Sequence, residues 1–466
     1  MDQNGERRVI MSSVTNNKEL TLRFVARFRE EALRLEKHSP AAIQGLREKA
    51  IRDFMQKGVP DRKNEAYKYT RLEPLLSPEF AFEFVRNHAD FQLKEVFKCD
   101  IPRLDTILVL TVNGWFHSVS LQGNKLPEGV VVGGLEEMAS KHPGLFNARY
   151  GQLADTEEDP MVALNTAFAR DGFFIYVPRG MKLEIPIQVI NMLESDRDTF
   201  ITQRNMVIAE PEAALKLIVC DHTLNVNRYF ANTVTEVFTG EKGTVDMCSV
   251  QNQHNMTADV HSVFHHQERD SHLTTHSITL HGGMMRNNLK VILDGENAEA
   301  NMYGMAFLDR KQHVDNALQV VHARPGCLSN QHYKTVLDDE ASGAFSGRIH
   351  VVRDAQKTNA YQRNNTILLT DKALMQTKPQ LIIEADDVKC SHGATVGQID
   401  ENALFYLRSR GIEESQARLM LMNAFSYEVV QQIRIEPLRE RISELVDKRL
   451  RGDVGRCHEC AYQCEC

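Results

Sequence analysis

Long apolar runs are missing from this sequence: stretches such as Ile107 to Leu110 fall far short of the roughly 18 residues that a membrane-spanning helix needs. A basic excess is missing too. Lys and Arg number 55 against 63 Asp and Glu, which leaves a net charge of -8, and no Lys/Arg cluster is long, so no nucleic-acid partner is expected. Met1 to Asn17 is polar and lacks the apolar segment of a secretory leader, which predicts a cytoplasmic protein. In that reducing compartment the nine cysteines read as free thiols or metal ligands, and a disulfide framework is excluded. No G-x-x-x-x-G-K-[ST] phosphate loop occurs, so the chain is not expected to hydrolyse ATP.

What is there is an ordinary globular composition, with 42% hydrophobic, 25% charged and 7% aromatic residues, outside the disordered and collagen-like ranges. A length of 466 residues admits two to four domains, or one elongated repeat domain with helical ends. Leu20, Phe24, Phe28, Ala32 and Leu35 recur every three or four residues within Asn17 to Lys57, the period of an amphipathic helix that Gly58 and Pro60 then stop. Asn64 to Leu76 reads as a helix-to-turn transition closing an N-terminal helical domain over residues 1–95.

After Ile101 short runs rich in Val, Ile, Thr and Phe alternate with polar residues, as in Thr106 to Val112, Ala214 to Val219, Tyr229 to Phe238, His272 to Leu280 and Leu289 to Leu293. So much strand must protect its edges by closing into a barrel, by sandwiching or by stacking into a solenoid. Gly295 to Asn301, followed by Met302 to Gly304, reads as one rung turning into the next. The expected fold is therefore mainly β, a right-handed parallel β-helix over residues 96–396, although no exact repeat length is legible. Leu135 to Ala169 is the exception, helical or irregular. Helices return over residues 397–452, with Asp400 as an N-cap and Gly411 as a C-terminal glycine. Ala417, Leu421, Phe425, Val429 and Ile433 lie four apart and form one apolar stripe, which Pro437 interrupts before a charged segment from Leu438 to Arg451.

Three constellations could carry chemistry. Cys390 and His392 are two apart, so on a strand both side chains point to one face and could reach one soft metal ion, but two ligands do not close a tetrahedral site. His254, His261, His265, His266, His272, His276 and His281 crowd a short stretch, which suits either a metal site or polar residues on a solvated face. Cys457, Cys460, Cys464 and Cys466, with His458, fill a Cys-rich tail over residues 453–466, where a C-x-x-C pair is a common half of a zinc or cluster site.

The string Ala385-Asp386-Asp387-Val388-Lys389-Cys390-Ser391-His392-Gly393-Ala394-Thr395-Val396-Gly397, continued by Leu404 to Ile412, resembles the SufB/SufD family, and the SufD version of its motif more closely. Gly347-Arg348-Ile349 through Gln356, Thr358, Ala360, Gln362 and Leu368-Leu369 is similar to the family's last β-helix turns. Asn64 to Thr70 resembles its N-terminal motif, with Ala66 and Tyr67 where the family usually carries an acidic residue and Trp. The resemblance implies a non-catalytic scaffold of the SUF machinery for iron–sulfur cluster assembly. Its partners would be a SufB-like subunit on the β-helix and a SufC-like ATPase on the C-terminal helices, through Leu421, Phe425 and Val429. His392, with Cys390 as its neighbour, would hold a transient iron–sulfur cluster at the SufB interface, and a reduced flavin would join the assembled complex. Without its partner the chain would be free to form a homodimer. The competing reading is a metal-dependent or carbohydrate-active β-helix enzyme using the region from His254 to His281.

Overall fold

The computed structural model describes residues 17–452, apart from 37–40, 85, 87–100, 102–103, 122 and 124. The first amphipathic segment is two helices, Asn17–Glu36 (α1) and Ala41–Lys57 (α2), and α1 buries Leu20, Phe24, Phe28 and Leu35 as their spacing predicts. Gly58 ends α2 at a φ of 72°, in the left-handed region that glycine enters without strain. A 3-10 turn at Glu65–Tyr67 and a short helix at Glu73–Leu76 (α3) follow.

The first strands are Ala81–Phe82 (β1), Ile107–Val112 (β2), Trp115–Ser120 (β3) and Val131–Gly134 (β4). The segment Leu135 to Ala169 is largely helical: Leu135–Lys141 (α4), Pro143–Asn147 (α5) and Pro160–Phe168 (α6). Asp159 caps α6 by accepting the Met161 N–H at 2.7 Å, and every residue of α6 is buried. Next come Phe173–Val177 (β5), Ile187–Leu193 (β6), Thr199–Ala209 (β7), Ala214–Thr223 (β8), Tyr229–Thr239 (β9) and Thr244–Asn252 (β10). The alternation runs on through Thr257–Gln267 (β11), His272–His281 (β12), Met284–Leu293 (β13), Glu299–Leu308 (β14) and His313–His322 (β15). It ends with Leu328–Leu337 (β16), Ser342–Val351 (β17), Thr358–Leu368 (β18), Leu374–Ile383 (β19) and Val388–Gly397 (β20).

Odd-numbered strands from β5 to β19 make one sheet, begun by β4, and even-numbered strands from β6 to β20 make the other, begun by β3 and β2. Each strand pairs in parallel with the strand two places on, so the chain coils as a β-solenoid. The step between partners is uneven, from Ala258↔Met284 to Ser342↔Leu374, which is why no single repeat length shows in the sequence. The regular device is in the turns. Glu212, Lys242, Asp270, Asn297, Gly326 and Lys357 all adopt positive φ where an odd strand passes to the next even one. In each case the N–H bonds to a carbonyl of the following turn, as Asp270 does to Glu296 at 2.9 Å.

Alternation sorts the side chains. Val189, Leu217, Val237, Leu273, Val291, Met302 and Val320 point between the sheets and form the inner core. On the outer face of the odd sheet, Phe200, Phe230, Val260 and Met284 pack under the N-terminal helices with Phe24, Phe54 and Met161. Two buried ion pairs help to hold that layer. Arg204 meets Glu236 at 2.7 Å, and Glu236 also accepts N–H bonds from Gly151 and Leu153 at 2.9 and 2.8 Å. Arg286 pairs with Asp315, lies 4.0 Å over the Tyr67 ring and donates to the Ala66 carbonyl, so the Asn64 to Thr70 motif serves as a tether to the solenoid.

The outer face of the even sheet carries Cys220, Cys248, Ile278 and Phe307 under the C-terminal helices Glu401–Ser409 (α7), Glu414–Val430 (α8) and Glu436–Arg451 (α9). Asp400 caps α7 as expected, accepting from Asn402 and Ala403. The charged segment is itself helical: Pro437 sits in the first turn of α9, and Leu438, Ile442 and Val446 bury one side of it. Among the described residues no helix is long and apolar enough to cross a membrane.

Candidate functional site

The two sheets finish differently from how they begin. Among the described residues β20 pairs only with β18, and β19 only with β17, so both last strands leave one edge unpaired. Pro379 lies in β19, a residue that sheets tolerate at edges because it has no N–H to give. Leu374, Ile382, Ile383 and Val396 are more than 40% exposed on these strands. A bare edge with apolar side chains is a template for another chain.

Cys390 and His392 are on β20, opposite Ala360 and Gln362 of β18. Cys390 packs partly against Ile349, Val351 and Ala360, which places it on the inward face, and His392 two residues on shares that face. His392 is exposed, and among the described residues nothing bonds to its ring. Burial pushes the Cys390 thiol up from its ordinary value, with the Ala360 backbone opposing. The thiol is therefore protonated until a cation or a metal draws the proton off.

Behind His392 the solenoid interior changes character. Met302, Gln331, Gln362 and His392 occupy one register column through β14, β16, β18 and β20. Gln362 donates to Gln331 at 2.7 Å, and a side chain on Gly347 of the facing sheet would collide with the Gln362 amide. The Gln362 side-chain oxygen is buried without a hydrogen-bond partner. This amide ladder leaves no local sign in the sequence, because a glutamine reads as exposed unless the strand parity and the facing glycine are both known.

The histidine-rich stretch does not form one site. His261 and His265 are buried in β11, with His265 in register between the core residues Val237 and Val291, whereas His276 of β12 faces outward, stacked on Tyr303 at 5.1 Å under the α8–α9 corner. His272 and His266 contact Glu299 and Asp294, and His254 accepts the Met256 N–H. Burial pulls His265 and His276 down to about 3, so both are neutral imidazoles. Among the described residues no group of three or more His, Cys, Asp or Glu side chains could hold a metal ion. The stretch is neither one solvated face nor one site: His272 faces water while His261, His265 and His276 are buried, because the alternation of β11 and β12 turns neighbours in sequence to opposite sides of a sheet.

The apolar stripe of the C-terminal region also needs correction as an outward contact. Val429 is fully buried, and Leu421 and Phe425 are half-buried in the layer beneath. Lys334 donates to the Phe425 carbonyl at 2.8 Å and its ammonium lies 4.5 Å from the Phe425 ring, fixing α8 on β16. An apolar stripe is drawn first to the nearest apolar surface, here the chain's own even sheet. The large hydrophobic side chains that α7 and α8 leave in water are Phe405, Tyr406, Met420 and Tyr427. Cys457, Cys460, Cys464 and Cys466 lie outside the described residues.

Comparison with known sequences agrees with the geometry. Residues 191–425 match the family model described as SUF system FeS cluster assembly, SufBD core domain, and residues 18–189 match the SufBD protein N-terminal region. The chain is 28% identical over 428 residues to the iron–sulfur cluster assembly protein SufD of Escherichia coli, covering 89% of this chain and 94% of that one. It is 27% identical over 400 residues to a SufBD family protein of Synechocystis, covering 84% of this chain and 87% of the relative. Similarity to the SufB protein of Bacillus subtilis is 22% over 434 residues, covering 91% and 93%.

Proposed function

Since the chain belongs to the SufBD family of iron–sulfur cluster assembly proteins, we propose that it is a SufD-like, non-catalytic scaffold whose open solenoid end pairs with a SufB-like subunit. The observation that carries this reading is the last turn: unpaired edges on β19 and β20, exposed apolar side chains along them, and an exposed His392 beside Cys390. Extension of each sheet by a strand of a related solenoid would satisfy the free backbone groups and bury Ile382, Ile383 and Val396.

The nascent cluster is the substrate of this assembly. His392 contributes a nitrogen ligand and Cys390 a second donor, while the remaining ligands come from the partner. A ligand set split between two chains opens when they separate or rotate and closes when they return. A SufC-like ATPase would supply that movement by docking on Phe405, Tyr406, Met420 and Tyr427, the exposed apolar residues of α7 and α8, in place of the buried Val429.

Anaerobic co-expression with a SufB-like and a SufC-like subunit tests the reading. The expected result is a stoichiometric complex that gains iron and sulfide, with His392→Ala keeping the complex and losing most of the cluster absorbance. Undiminished cluster formation by His392→Ala would remove the ligand role, and a chain that purifies alone would remove the scaffold.

A further inference from the structure

A cavity of about 1290 Å³ lies where the N-terminal segment crosses the turns at one side of the solenoid, and its lining extends to Thr370 and Lys372 in the turn before β19. Its apolar floor includes Leu75, Met256 and Met284. Six cations line it: Arg62 and Arg71 from the N-terminal segment, Arg228 before β9, Arg310 and Lys311 between β14 and β15, and Lys372 before β19. Glu340 engages Lys372 at 3.1 Å and Lys311 at 3.8 Å, and Asp339 accepts the Arg310 backbone N–H at 3.0 Å. Arg228 has Asp198 at 3.7 Å. Among the described residues, the guanidinium groups of Arg62, Arg71 and Arg310 have neither ion pair nor hydrogen bond.

Three guanidinium groups without a direct ion pair, brought to one concave site from two chain segments, leave a positive field that Asp339, Glu340 and, beside Arg310, Asp309 offset only in part. The guanidinium fork matches phosphate oxygens in pairs, and the apolar floor suits a ring system that would otherwise order water. Arg310 holds its place at a φ of 53°, in the left-handed region, so the turn that aims it is fixed by its neighbours.

We propose that this cavity binds an organic phosphate of nucleotide size, its phosphates on Arg62, Arg71 and Arg310 and its apolar body on Leu75, Met256 and Met284. The site does not depend on the cluster-assembly reading, although Thr370 and Lys372 bring its rim to the turn before β19. The test is a fluorescence titration of the purified full-length chain with mant-ADP, with ADP, pyrophosphate and adenosine as competitors. Saturable binding is expected, weakened by salt, with ADP competing better than pyrophosphate and adenosine worst. Arg62→Ala combined with Arg310→Ala should weaken it by about tenfold or more at an unchanged melting temperature, whereas Arg179→Ala, exposed and outside the cavity, should not. Absence of saturable binding, equal binding by the double variant, or adenosine competing as well as ADP would each overturn the proposal.

Discussion

The solenoid's two ends are built from the same alternating strands and treated in opposite ways. At the first end β2 pairs antiparallel with β3 and β4 with β5, which turns the chain back on itself. There α4 and α5 cover Phe174, Met206 and Ile208, and the buried Asp171 accepts N–H bonds from Phe116 and Glu136 at 3.1 Å each. At the last end there is no reversal, and β19 and β20 keep bare edges with exposed apolar side chains. A solenoid turn cannot bury both of its faces by itself, so each terminal turn needs a cap. The chain's own helices cover the first end, while the last keeps its apolar edge in water.

The contrast is sharpest where the closed part depends on buried charge. Removing the carboxylate with Glu236→Ala strands Arg204 in the layer under the N-terminal helices and frees the N–H groups of Gly151 and Leu153. Equilibrium denaturation should show a loss of about 3–5 kcal/mol. Phe174→Ala, at a fully buried ring beneath α4, should cost a similar 3–5 kcal/mol or so by leaving a cavity. A loss under about 1 kcal/mol for either would mean that the first end is no more closed than the last.

Acid probes the interior. His265 is buried with no partner on either ring nitrogen, and burial lowers it to about 3. The unfolded chain takes up that proton near pH 6.5, so below that pH unfolding is favoured, until the folded protein is protonated too near pH 3. His265→Leu removes this one contribution. Between pH 7 and 5 the wild type should lose roughly 2 kcal/mol relative to the variant, measured as the difference between their two denaturation curves. A difference that stays constant over that range would place His265 in contact with water.

Fold class was legible because strand parity and turn residues recur over the whole central region, and the family resemblance extends over most of the chain and is most specific from Gly347 to Gly411. The repeat itself shows only at Glu212, Lys242, Asp270, Asn297, Gly326 and Lys357, and it is hidden in the sequence because the positive φ is met there by four residue types besides glycine. The helix α9 was missed although Leu438, Ile442 and Val446 carry its period, since the charges between them dominate the composition. Cys390 and His392 could be placed on one face of a strand from spacing, but that the strand would be an edge follows from where the coil stops. The stripe containing Val429 is apolar as its spacing implies, but spacing gives a face and not what covers it, and Val429 itself is covered by the chain's own even sheet.

The open end should resist the substitutions that damage the closed one. Ile382→Ala, at a side chain already 43% exposed, should shift stability of the isolated chain by less than about 1 kcal/mol. The smallest change expected is Gln362→Leu. It exchanges one buried amide hydrogen bond to Gln331, worth about 1 kcal/mol, for added apolar burial, and it removes an oxygen that has no partner, so the two effects nearly cancel. If denaturation shows a loss above about 2 kcal/mol, the amide ladder is part of the packed core. If the loss is slight, the ladder is only the floor on which His392 stands, and the column from Met302 to His392 marks where the solenoid's packed core gives way to the exposed last turn.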